Sequence, residues 1–129
     1  MALKPAVTRG IEEITARFAG HAVHIREDGA GGAYVIIDEV ELGPLYIQPT
    51  TWMGSHLDFN YPYSDTYPHF VRGNLARVDG RGLGDGAQPT TWEERPAIQL
   101  SRRSNHLDAT IDRADLKFLK VLDWLQHHP

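Results

Sequence analysis

Two runs of alternating apolar and polar residues meet at a glycine-rich turn, and this juncture commits the chain to an antiparallel hairpin. His21 to Glu27 sets Val23 and Ile25 on one side and His24 and Arg26 on the other. Ala33 to Leu42, rich in Val and Ile, repeats a strand-like pattern. Between them lies Asp28-Gly-Ala-Gly-Gly32, where glycines permit the positive φ that tight turns need.

Helical periodicity flanks this β segment. Val7, Ile11, Ile14 and Phe18 recur at spacings of four, three and four, which draws one apolar stripe along a helix. The spacing predicts a helix over 8–19, with Thr8 as N-cap and Gly20 as its stop. At the other end Ala114, Phe118, Val121 or Leu122, and Leu125 form a second stripe. Asp112 can cap that helix and Asp115 suits its N-terminus.

A third strand is expected to start within Leu45–Pro49 and to run on through Trp52 toward Phe59, with a bulge at Gly54. Asn60 to His69 holds two Tyr-Pro pairs, Tyr61-Pro62 and Tyr67-Pro68. Proline lacks an amide donor and restricts its predecessor, so this stretch reads as an ordered flap outside the sheet. His69 to Leu75 is a candidate fourth strand. Residues 79–90 contain Gly80, Gly82, Gly84 and Gly86 and read as a long loop. No Lys-Ser or Lys-Thr follows them, so they make no phosphate loop. The predicted layout is one α+β domain: N-terminal helix, four-strand antiparallel meander, proline-rich flap, C-terminal helix.

Composition narrows the chemistry. The chain has 129 residues, near the commonest single-domain size. Its formal net charge of -4 argues against a phosphate backbone as main partner. It has no cysteine, which removes disulfides, thiolate metal sites and a thiol nucleophile. The N-terminus lacks the apolar stretch of a signal peptide, and nothing approaches a membrane-spanning run, so a cytoplasmic location is expected. Seven histidines raise the question of metal. His21 and His24 sit three apart on a predicted strand and point to opposite faces. His56 and Asp58 share a face, but two ligands fall short of the three that catalytic zinc uses. No metal or other cofactor is expected.

The order of elements resembles the ubiquitin-conjugating (UBC) fold. Tyr61-Pro62 through Pro68-His69-Phe70 is similar to the Tyr-Pro segment that follows the third strand of UBC domains. Trp92 through Asn105, with Gln99-Leu-Ser-Arg-Arg103 inside it, resembles the bacterial branch of that superfamily. The resemblance implies a role in a bacterial ubiquitination-like pathway, with a ubiquitin-like modifier protein and an adenylating activating enzyme as partners. The chain departs from the family pattern at its chemical centre. It has no His-Pro-Asn motif, and Gln99 or a close neighbour falls where the family places its cysteine. Glutamine cannot carry a thioester.

Three readings follow. Ser101 or Ser104 could replace the thiol and hold the modifier as an oxyester. A serine hydroxyl needs a base within hydrogen-bond reach; His106 is near in sequence, and His69 in the flap is a second candidate. Arg102 and Arg103 could hold a carboxylate or an oxyanion, and Asn105 could donate to the same oxyanion. Alternatively the chain binds modifier or activating enzyme without chemistry, or the aromatic cluster of Trp52, Tyr61, Tyr63, Tyr67 and Phe70 lines a peptide-binding groove. A small-molecule enzyme using His69 and His106 as acid and base is the third reading.

Overall fold

A computed structural model describes residues 2–102, 107–108 and 113–128. The elements run α1 (Pro5–Arg17), β1 (Val23–Glu27), β2 (Ala33–Glu41), β3 (Thr50–Leu57), β4 (His69–Arg72), β5 (Ala87–Trp92), β6 (Arg95–Leu100) and α2 (Ala114–Gln126). The class is α+β, as the periodicities required, but the described sheet has six strands rather than four. Their order is β1-β2-β3-β4-β6-β5, antiparallel throughout.

The two extra strands come from 87–100, of which 87–90 belong to the expected loop. β5 and β6 pair through Ala87↔Leu100 to Trp92↔Arg95. Their two-residue turn is Glu93-Glu94, with φ of 50° and 62°. Positive φ at both central residues is the habit of hairpin turns built on Asn-Gly or Gly-Gly. Two glutamates give no such signal, so the hairpin was hidden.

α1 begins at Pro5 rather than Thr8. A proline in the first helical turn gives up an amide that would have no intrahelical partner anyway, and the Thr8 amide donates to Lys4 O at 3.0 Å. Asp112, the expected cap of α2, lies outside the described residues; the observed helix opens at Ala114, whose amide donates to the Tyr61 hydroxyl at 3.0 Å.

Both helices pack on one face of the sheet. Val7, Ile11, Ile14 and Phe18 of α1 join Ala114, Phe118, Val121 and Leu125 of α2 over Val35, Ile37, Met53, Val71, Ile98 and Leu100. Full burial of a side chain such as Phe118 stabilises by roughly 1.5–3 kcal/mol. Tyr61 fastens the helices together. Its ring lies so close to α1 that a Cβ at Gly10 would come within 2.8 Å of its Cε2, while its hydroxyl caps α2.

The bulge falls in β2, where the register slips between Ile37 and Val40, and not at Gly54. Gly54 has a different task. It faces away from the helices, opposite Phe70 of β4, and the ring of Trp92 rests on it.

Candidate functional site

Strand alternation sends Tyr34, Ile36 and Asp38 of β2, Trp52, Gly54 and His56 of β3, and Phe70 and Arg72 of β4 to the face opposite the helices. Among the described residues no helix covers this face. The curl of the sheet folds the β5–β6 tip over it instead. Trp92 stacks on Phe70 with ring centroids 4.5 Å apart, lies parallel to Trp52 at 6.1 Å and meets Tyr34 edge-on at 6.2 Å. Glu93 then reaches β1, where Arg26 grips it with two bonds of 2.7 and 2.8 Å. The Arg26 guanidinium also caps the Tyr34 ring at 4.3 Å. Its hydrogen bonds hold the Glu93 carboxyl below the usual range against the opposing effect of burial.

Beside this aromatic stack opens a cleft of about 650 Å³. The β2 bulge forms one wall and contributes Asp38 and Glu39, the latter at φ 53°. Bulges and strained φ recur next to functional sites because they re-aim side chains. Trp52 and Thr51 contribute from β3, and Arg72 and Arg95 form the far wall. Asp38 accepts from His24 Nε2 at 2.6 Å. Arg95 stacks over Trp52 with its guanidinium carbon 4.9 Å from the ring centre. The sequence places Trp52 in an aromatic cluster and Asp38 beside Glu39 as neighbouring carboxylates, but does not join them to Arg72 and Arg95, since only the register brings these strands side by side.

The residues singled out from sequence fall in three places. Tyr61, expected to line a groove, and His69, a candidate base, lie in the interior at 6% and 0% exposure. His69 is the first residue of β4, points to the helix side and meets the Phe118 ring edge-on at 4.8 Å. Neither of its nitrogens has a hydrogen-bond partner among the described residues. Burial, with a smaller push from Lys117, lowers its pKa to about 3, so at neutral pH it is an uncharged imidazole sealed from solvent. Tyr67 is half-buried, and Tyr63 stands out at 80% exposure.

Ser101 follows β6, and its Oγ accepts from Gln99 Nε2 at 3.3 Å. Gln99 is on the uncovered face, so the Ser101 hydroxyl is turned away from the interior where His69 sits. Arg102 lies over the Trp124 ring at 4.6 Å, a packing contact to α2. Arg103, Ser104, Asn105 and His106 lie outside the described residues. Asp28 Oδ2, and not Asp58, accepts from His56 Nε2 at 2.7 Å; Asp58 accepts from the Asn60 amide and the Ser64 hydroxyl of the flap. No described helix is long and apolar enough to cross a membrane. Compared with protein-family models, curated proteins and solved structures, the chain matches none.

Proposed function

We propose that this protein is a non-catalytic binding module, a UBC-like component of a ubiquitin-like conjugation pathway that holds a protein partner on the uncovered face of its sheet. The observation that carries the reading is that face: an aromatic stack with a two-signed cleft beside it, accessible to a partner. Aromatic and arginine side chains grouped in this way supply the anchors on which protein interfaces depend. The absence of cysteine supports binding over thioester relay, and His69 is buried on the far side of the sheet from Ser101, so it offers that hydroxyl no base. The expected partners are a ubiquitin-like modifier and its adenylating enzyme.

The test is to titrate a ubiquitin-like modifier and an adenylating activating enzyme, each in turn, into ¹⁵N-labelled protein. Shifts confined to the Trp52 and Trp92 indoles and to the Arg72 and Arg95 amides are expected. Shifts elsewhere, or none with either partner, would overturn the binding-face reading. Incubation with ATP and both partners checks the serine alternative. A hydroxide-labile adduct lost in Ser101→Ala or Ser104→Ala would make the chain a carrier after all.

A further inference from the structure

Resting on the reading of the uncovered face as a binding surface, we infer that its cleft takes the carboxyl-terminal tail of a polypeptide that also bears a basic side chain. The sheet register sets opposite charges on opposite walls. One residue beyond the Ile37–Met53 pair, Asp38 comes beside Trp52; one beyond Met53–Val71, Trp52 comes beside Arg72. Arg72 pairs directly with Ala97, and Arg95 lies two residues along β6 on the same side. Across the strands the order is therefore acid, aromatic ring, guanidinium.

Among the described residues neither guanidinium forms an ion pair with a carboxylate. Arg72 donates from Nε to Asn74 Oδ1 at 2.6 Å and from Nη1 to Thr50 O at 2.9 Å, which orients the group and leaves three of its five N–H donors. Among the described residues Arg95 forms no ion pair, and the Trp52 ring holds it in place. Other arginines differ: Arg26 is bound to Glu93, and Arg77 and Arg81 to Asp79. Two oriented guanidinium groups in one cleft, with N–H donors to spare, match a carboxylate, whose two oxygens accept the planar N–H fork.

The opposing wall decides what else the ligand carries. Glu39, and Asp38 beside it with its bond from His24, disfavour a polyanion such as a phosphodiester backbone. Strands lie about 4.8 Å apart, so the β2 wall stands roughly 10 Å from β4. A free amino acid without a basic side chain bears its ammonium and α-carboxylate on one carbon and cannot span that distance. A chain terminus spans it when a lysine or arginine lies a few residues before the carboxylate, and the stem of that side chain can lie on Trp52.

The probes are acetyl-Ala-Lys-Ala-Gly-Gly as free acid and as carboxyl-terminal amide, followed by Trp fluorescence and by amide shifts. The free acid is expected to bind at least tenfold more tightly than the amide. Arg95→Gln should remove that preference and Arg95→Lys retain part of it, with near-UV circular dichroism confirming an intact Trp stack. Glu39→Gln, at an exposed position, should weaken the lysine peptide several-fold but leave its acetyl-lysine counterpart unchanged. Equal binding of acid and amide by the unaltered protein, which needs no variant, overturns the inference. The two readings fail separately. If a folded partner shifts this face but amidating its tail changes nothing, only the tail assignment falls; if the partner leaves the face unshifted, the binding-face reading falls with it.

Discussion

His69 shows how one residue type can mislead. A histidine next to a tyrosine-proline segment suggests acid–base chemistry, yet its register opposite Leu100 turns it inward against Phe118. A buried neutral imidazole with neither nitrogen bonded among the described residues costs free energy rather than supplying it. Replacing it by an apolar residue of similar size, His69→Leu, should therefore raise stability at pH 7 by about 1 kcal/mol in urea denaturation. Its pKa gives a second, independent signature. The folded value of about 3 lies below the unfolded reference near 6.5, so the unfolded chain binds the extra proton between them. Stability is then present in full above the unfolded pKa and falls as pH drops toward 3, by about 1.4 kcal/mol per pH unit. Lys117 and Asp65, paired at 3.1 Å, are the charged groups that act on this histidine. His69→Leu should flatten the stability profile between pH 6 and 4; an unchanged slope would assign it to other groups.

The β5–β6 hairpin is the element on which the uncovered face depends. β4 is four residues long, and the hairpin tip crosses it to bring Trp92 onto β3 and Glu93 onto β1. Gly54 is what permits this, because any Cβ there would collide with the Trp92 ring. The aromatic ring cannot give way as the end of a flexible chain could. Gly54→Ala should cost about 1–3 kcal/mol and diminish the near-UV circular dichroism of the tryptophans. By contrast Glu93→Ala, which breaks an ion pair whose arginine is largely exposed, should cost no more than about 1 kcal/mol. If both variants behave alike, the tip is held by charge and not by the seat of Trp92 on glycine.

At the scale of the whole molecule, the two helices come from opposite ends of the chain and must be joined across the sheet. Their shared apolar surface does most of this, and a polar clasp fixes their relative placement. Asp115 of α2 accepts from Arg17 of α1 at 3.3 Å and from Arg113 at 2.9 Å, and Arg113 also reaches Glu13 at 3.3 Å. Burial would raise the Asp115 carboxyl, but the bonds from Arg113 and Arg17 outweigh it and hold the group below its usual range. A depressed carboxyl contributes stability above its unfolded pKa and loses it as pH falls through the folded value. Asp115→Asn should therefore cost about 1–3 kcal/mol at pH 7, with a gap to the unaltered protein that narrows toward pH 3 in chemical denaturation. A gap constant with pH would mean that shape, not charge, is what Asp115 supplies.

Local pattern alone determined the two helices, the first hairpin and the α+β class, because apolar periodicity is a property of neighbours in sequence. Val7, Ile11, Ile14 and Phe18 do face the core, and residues 23–27 and 33–41 do pair across the glycine turn. The tertiary structure decided what no neighbour encodes. A turn of two glutamates at positive φ gains its stability from Trp92 and Glu93 landing on β3 and β1, contacts tens of residues distant. The register alone sets Asp38, Trp52, Arg72 and Arg95 about one cleft, and a shift by one residue would send each strand's side chains to the other face. Burial likewise depends on the layers on both sides of a strand, which is why Tyr61, a groove candidate in sequence, and His69, a candidate base, are core residues in the fold.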